Sequence, residues 1–368
     1  MRPTVLDRIA QETGAVPLGW AGASPDASYV NLGDALSPVM VALCTGLGIM
    51  RVPFRSTVPR LAAVGTIGHG FAGGDVWFWG TCASLYRNPL APAAEKQRYR
   101  TPPGTRVHIA ATRGPISEAI LRGEGALAAP GVYGDPVWLL PRFHRPAVPK
   151  RHELGVILHL SDLTDRSFDV HFNPLHQRYV VPPDLAGAVR LISTVTPPDL
   201  PGLFARIDDI LACRRIVSTS LHGLVFAESY GIPCLYFGVG GAPDGLGIVP
   251  ARLETGIDLR ILDLYAGLGL ESFPLYVQRR RCRTDWAAVI RAIDRAWEQR
   301  HLDEAALLAA LPVSGAPVTV PADGSSPGPP IWEHPVLRGL RLTHSAEEIA
   351  EAVRRTGAIA GEPVACAP

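Results

Sequence analysis

The sequence predicts an α/β protein of two domains, each organised on a parallel sheet. Three observations carry that expectation. Short aliphatic or β-branched runs alternate with segments of helical periodicity over most of the chain, the rhythm of strand–helix–strand units. At 368 residues the chain is long for a single core. Residues 141–152, PRFHRPAVPKRH, gather proline and basic side chains between the two alternating halves and read as an interdomain linker. The expected boundaries are 1–145 for the first domain and 150–311 for the second with its terminal helices. A flexible Pro-, Gly- and Ser-rich linker over 312–330 and a tail with a short helix over 331–368 complete the chain.

Composition narrows the functional classes. A hydrophobic content of 47% supports globular folding. Net charge is only +1, from 35 basic and 34 acidic side chains, which gives no basic field for non-specific nucleic-acid binding. Any anionic ligand must therefore be held by a local cluster. The six cysteines (Cys44, Cys82, Cys213, Cys234, Cys282 and Cys366) stand singly without a C-x-x-C pair, so neither a zinc site nor a disulfide framework is expected. Most lie in apolar runs and read as buried thiols. The opening residues, MRPTVLDRIAQETGAV, lack the apolar segment of a signal peptide, and no run approaches the ~18 apolar residues of a membrane span. The expected compartment is the cytoplasm.

In the first half, residues 1–14 read as a short helix and 16–20 as a strand. Asn31-Leu32-Gly33-Asp34 leads into a helix over 35–45, with Pro38 tolerated in its first turn. Asp34 as a cap and Asn31 as a turn residue account for this stretch locally; a strand–loop–helix junction is also a usual ligand position in parallel sheets. Strands follow at 61–64, 76–79 and 107–110. The loop GTIGHGFAGG, 65–74, lacks dinucleotide-binding spacing but adds His69 to the candidate ligand contacts. Arg113-Gly114-Pro115 follows a strand and opens a helix over 116–121, with proline at its first position and the guanidinium beside its N-terminus. A surface ion pair with Glu118 is the plain alternative. Asp135, in Gly134-Asp135-Pro136, either braces the loop carrying Arg113 or touches substrate.

The second half has strand-like runs at 155–160, 189–194, 215–217, 234–237 and 260–264. Leu203, Ile207, Ile210 and Leu211 form an apolar stripe at helical spacing. Helices are expected over 285–301 and 302–311. Ser345 and Glu348 mark a capping box for a last helix that runs to Arg355 and ends at Gly357. The most informative stretch is 215–238, RRIVSTSLHGLVFAESYGIPCLYFG. Ser218, Thr219 and Ser220 are candidate caps for a helix over 221–230, stopped by Gly231 and Pro233. His222 thus falls in the first turn of a helix at the carboxyl end of a strand, where free N–H groups and the helix dipole favour an anion. His159, at the end of another strand, is either a core histidine or a second site residue.

These residues also carry a resemblance. Ser218-x-x-Leu221-His222-Gly223, with Ala227-Glu228 and Gly231-Ile232-Pro233, resembles the signature of the polysaccharide pyruvyl transferase family. Asn31-x-Gly33-Asp34, Arg113-Gly114-Pro115, Gly134-Asp135-Pro136 and the strand ending at His159 match that family in order, over roughly 15–300. Many members read Arg-Leu-His where this chain has Ser220-Leu221-His222, so a guanidinium is missing there or comes from elsewhere.

The resemblance implies two Rossmann-like domains facing a cleft, similar to the glycosyltransferase-B arrangement. It implies transfer of a pyruvyl ketal from phosphoenolpyruvate to a sugar of a bacterial polysaccharide or its lipid-linked precursor. No redox cofactor or metal is implied, and peripheral membrane association fits a lipid-linked acceptor. The implied catalytic residues are His222 and His159. Arg113, Ser220, Leu221, Gly223, Asn31, Gly33 and Asp34 would bind donor, with further contacts at Glu228, Asp135 and His69. Two other readings stay open. One is a nucleotide-sugar glycosyltransferase in which Glu228 holds a ribose; the other is a non-catalytic sugar- or anion-binding relative.

Overall fold

Aliphatic runs that are buried on both faces form parallel strands, and the computed structural model places them in two sheets. It describes residues 3–123, 131–320 and 329–361. The chain divides into two units, Met1–Ala27 with Asp34–Phe143 and Asp303–Pro368, and Ser28–Gly33 with His144–Leu302.

In the first unit, β1 (Ala15–Gly19), β3 (Gly48–Arg51), β4 (Arg60–Ala62), β5 (Gly74–Phe78) and β6 (Thr105–Ile109) form a sheet of order β3-β1-β4-β5-β6. All its pairings are parallel. Three helices belong to the first part of the chain: α1 (Val5–Thr13), α2 (Leu32–Thr45) and α3 (Pro115–Arg122). Val39 to Cys44 are all buried, which explains why α2 is apolar on every side.

The second unit has a sheet of order β12-β13-β11-β10-β7-β8, built from β7 (Leu154–Leu158), β8 (Val189–Ser193), β10 (Ile216–Ser218), β11 (Cys234–Gly238), β12 (Gly245–Pro250) and β13 (Ser272–Val277). Only the edge strand β12 runs antiparallel. Helices α4 (Leu200–Leu211), α5 (Leu221–Ser229), α6 (Leu259–Gly267) and α7 (Trp286–Ala296) connect or cover these strands. A small antiparallel ladder joins β2 (Val30–Asn31) to β9 (Val195–Thr196). No helix of the described residues is long and apolar enough to cross a membrane.

Several expectations are corrected. Residues 260–264 are not a strand: they lie in α6, whose N-cap Asp258 accepts from the Arg260 N–H. Ile261, Leu264 and Tyr265 recur at helical spacing, and a five-residue apolar run cannot show which period governs it. The helix expected over 285–301 stops at Ala296, and the next, α8 (Glu304–Ala309), belongs to the first unit, where Trp79 Nε1 donates to the Leu307 carbonyl at 2.8 Å. After the short α9 (Pro335–Arg338), α10 (Ala346–Ala360) carries the expected capping box but runs through the buried Gly357 to a left-handed Gly361.

The stretch expected as a flexible linker is held at its start. Ser314 N–H donates to Asp7, Ala316 N–H to the Thr45 carbonyl and Val318 N–H to the Leu43 carbonyl. The middle of that stretch, 321–328, and Cys366 lie outside the described residues. Cys44, Cys82, Cys213 and Cys234 are buried as expected, whereas Cys282 is exposed.

Arg60 closes the loops of the first unit through backbone carbonyl groups. Its guanidinium lies 2.7–2.9 Å from the carbonyl oxygens of Phe54, Ser56, Val58, Ala72 and Gly73. Burial lowers its pKa to about 10, so it remains charged at neutral pH. Replacing Arg60 with Leu leaves those acceptors buried and unmatched. Urea denaturation of Arg60→Leu should show a loss of at least about 3 kcal/mol, with Arg60→Lys recovering part of it.

Candidate functional site

In the second unit the connection after β7 leads to β8 on one side, and that after β10 leads to β11 on the other. The loops leave in opposite directions, which opens a crevice at the carboxyl ends of β7 and β10. His159 follows β7, and Thr219 to His222 follow β10. The two loops are joined: His159 N–H donates to Thr219 Oγ1 at 2.8 Å, and Thr219 Oγ1 donates to Asp162 Oδ2 at 3.1 Å.

The turn into α5 is closed by Ser218, whose hydroxyl accepts from Ser220 N–H at 3.0 Å and donates to the Ser220 carbonyl at 2.8 Å. Ser220 occupies the N-cap position, yet its side chain makes no capping bond. The Ser220 side chain thus does not supply the cap expected from the serine–threonine run. His222 is the second residue of the helix, with 8% of its surface exposed. Leu221 is buried beside it. Gly223 is explained by packing, since a Cβ there would overlap Ser218 Oγ and sit 2.9 Å from Ile157 Cγ2.

The His222 ring lies against Gly33. A Cβ on Gly33 would overlap Nδ1 of that ring. Asn31 Oδ1 accepts from the Gly33 N–H at 3.1 Å, and the β2–β9 ladder fixes both residues, with Leu32 N–H donating to the Thr194 carbonyl at 2.8 Å. The structure therefore brings Asn31 and Gly33 to His222, in the same unit.

His159 is held in a different state from an exposed imidazole. Arg260 Nη1, which can only donate, lies 3.1 Å from its Nε2. Nδ1 faces Ser161, accepting from its backbone N–H at 3.2 Å and lying 2.8 Å from its Oγ. Burial, then the Arg260 charge, lowers the His159 pKa. Asp258 holds Arg260 through contacts of 2.6–3.1 Å. His159 thus meets a donor at each ring nitrogen. Arg260 and Asp258 were missed in the sequence because the run after them reads as a strand; the Asp-x-Arg opening of a helix was the available signal.

Asp34, Arg113, Asp135 and His69 belong to the first unit. Arg113 is fully buried, with Nε donating to Asp135 Oδ2 at 2.9 Å and Nη1 3.4 Å from Thr66 Oγ1. Asp135 Oδ1 accepts from Val137 N–H at 3.0 Å, so this carboxylate braces the loop of Arg113. The surface partner considered for Arg113, Glu118, pairs with Arg122 instead. The Asp34 carboxylate lies over Gly65, which has φ +114°. His69 accepts through Nδ1 from Ser84 N–H at 3.3 Å, and burial lowers its pKa.

Glu228 does not reach the crevice. It sits toward the opposite end of α5, buried, accepting from Tyr265 Oη and Trp297 Nε1, each at 3.2 Å. Burial raises its pKa to about 7. The ribose contact expected in the glycosyltransferase reading is therefore corrected. A cavity of about 1040 Å³ opens in the first unit between β3 and α10, lined by Arg51, Arg341, His344 and Glu348. None of the sequence-predicted site residues lines it.

Residues 72–241 match the family model described as polysaccharide pyruvyl transferase, which shows the resemblance over that stretch. The match includes Arg113, Asp135, His159 and His222 and does not reach Asn31, Gly33 or Asp34. Comparison with curated proteins and with solved structures gives no match.

Two stability measurements follow from these environments. Arg113→Ala leaves a buried carboxylate without its cation, so chemical denaturation should show a loss of roughly 3–5 kcal/mol. Unchanged stability would return Arg113 to an exposed, ligand-facing role. For Glu228 the folded state holds the proton more tightly than the unfolded chain. Its stabilisation is full below the ordinary carboxyl value of 4.5 and is lost as pH rises through about 7. Glu228→Gln keeps the shape of the protonated acid, so its stability relative to wild type should rise by on the order of 3 kcal/mol between acid and mildly alkaline pH.

Proposed function

We propose that the protein transfers a pyruvyl group, as a carboxyethylidene ketal, from phosphoenolpyruvate to two hydroxyls of a sugar in a bacterial polysaccharide or its lipid-linked precursor. The family match over 72–241 supports the reaction class. The observation that carries the reading is the packing of His222 on Gly33 at the N-terminus of α5. It unites two motifs from opposite halves of the chain at a helix N-terminus whose N-cap side chain makes no capping bond.

The chemistry asks for few groups. A proton added to the methylene carbon of phosphoenolpyruvate leaves an oxocarbenium-like carbon, which one sugar hydroxyl attacks with loss of its proton. Departure of inorganic phosphate and attack by the second hydroxyl close the ketal. His222 is proposed to carry the proton, since imidazole titrates in the useful range. The N–H groups at the start of α5, with the Ser220 hydroxyl, are proposed to bind phosphate or carboxylate. His159, its pKa lowered by burial and then by the Arg260 charge, is proposed to accept a sugar hydroxyl proton at Nε2, which requires the Arg260 contact to give way. Arg113 contributes by holding its loop through Asp135, so any donor contact it makes must coexist with that ion pair.

The test is phosphate release from phosphoenolpyruvate across a panel of acceptor glycans, with mass spectrometry of the product. His222→Ala should reduce turnover on the order of 10²–10⁴-fold with little change in melting temperature. His222→Asn separates proton transfer from hydrogen bonding: activity in Asn with none in Ala makes His222 a binding residue. Gly33→Ala should displace the ring and cost nearly as much as His222→Ala, with the double variant no worse than the single. Additive losses would mean that Gly33 and His222 act separately.

A further inference from the structure

The β12 edge of the second unit sets exposed aliphatic side chains beside a run of exposed arginines. Ile248 is 72% exposed, and Leu246 is exposed on the same face, since their cross-strand neighbours are Pro274 and Tyr276. Beyond β13 the chain continues Arg279-Arg280-Arg281-Cys282-Arg283, all exposed. Two contacts tie this run to its apolar neighbours. Arg279 Nε lies 3.1 Å from the Asp244 carboxylate, one residue before β12. Arg178 N–H donates to the Arg280 carbonyl at 3.1 Å, which anchors the loop bearing Leu175, itself 63% exposed. Arg280, Arg281 and Arg283 make no ion pair among the described residues.

We infer that this surface docks on a bilayer carrying anionic lipids. Aliphatic side chains enter the boundary between headgroups and acyl chains, and neighbouring guanidinium groups meet lipid phosphates. A second copy paired along β12 would cover Leu246 and Ile248 but leave the arginine run without an anion. Pro250 also shortens the ladder that such a pairing could form. The arginine run leaves the carboxyl end of β13, on the same edge of the parallel sheet as the crevice after β7 and β10. β10 lies two strands from β13, about 10 Å at ordinary strand spacing. A docked bilayer would thus hold a headgroup-linked sugar near His222, making the acceptor membrane-anchored. That consequence rests on the proposed transfer reaction; the docking does not.

The experiment is co-sedimentation of the full chain with vesicles of phosphatidylcholine alone and with a two-to-one mixture of phosphatidylcholine and phosphatidylglycerol. Binding is expected to the mixed vesicles only, and to weaken with salt. Replacing Arg280, Arg281 and Arg283 together with Gln should lower the partition coefficient on the order of 10²-fold. Ile248→Ser should lower it roughly tenfold. Both variants should melt with the wild type, because the altered side chains are exposed. Equal sedimentation with both vesicle types, or unchanged binding of the arginine variant, would overturn the inference. So would a dimer that dissociates on Ile248→Ser in a protein that binds no vesicle, which assigns the face to a second copy. No donor or acceptor is present in this assay, so failure of docking and failure of the transfer reaction are read separately.

Discussion

Helix α5 can lie where it does only because residue 223 has no side chain. A methyl group there would meet the Ser218 hydroxyl and Ile157, on β10 and β7. With glycine, the helix settles against the strand pair, and the Ser218 hydroxyl is free to close the turn through both backbone groups of Ser220. Everything proposed for the crevice follows from this close approach. It puts the helix N-terminus at the strand ends, and it sets His222 against Gly33. A different residue at 223 would tilt the helix and misdirect the imidazole without altering any group that performs chemistry.

The parts of the fold legible in the sequence are those where local signals agree. The strand–turn–helix at β10 and α5 has a β-branched run, a glycine stop and a following proline, and it appears as expected. The Ser345–Glu348 capping box likewise opens α10. Three strands of the two main sheets escaped notice for separate reasons. β3 has four residues. β12 carries glycine at alternate positions, which weakens any strand pattern. β13 contains Pro274, ordinarily a sign against a paired strand; it is tolerated because pairing to β11 begins only at Leu275. For the site, sequence motifs located His222, Gly33 and Asn31 but could not reveal that Arg113 is buried. A motif reports that a guanidinium is needed, not whether it faces ligand or a carboxylate. The Asp-x-Arg helix opening could have marked Arg260, but its partner His159 depends on a side-chain contact between distant segments.

Buried charge recurs through the protein, neutralised in three different ways. Arg113 is matched by a carboxylate. Arg60 is surrounded by carbonyl groups, and Arg178 donates to the Phe237 and Gly238 carbonyls while its guanidinium lies 3.8 Å from the Phe237 ring centroid. Glu228 instead takes up a proton more readily than an exposed carboxyl group. The arginines can bind several loop carbonyls at once because the guanidinium is a planar fork of donors, which a lysine cannot reproduce. Such residues fix irregular backbone where regular hydrogen bonding stops.

The ladder between β2 and β9 has a consequence for how the protein is made. Residues 28–33 belong with a unit whose remaining residues begin only at His144. During synthesis this segment must therefore wait, unpaired, while the whole intervening part of the first unit emerges from the ribosome. Its ladder to Val195–Thr196, and the seat it provides for His222, are non-local contacts of the kind that form slowly. The candidate site should then be among the last features to mature. Cutting the gene at the interdomain linker would give a second half that contains the histidine but not the glycine beneath it.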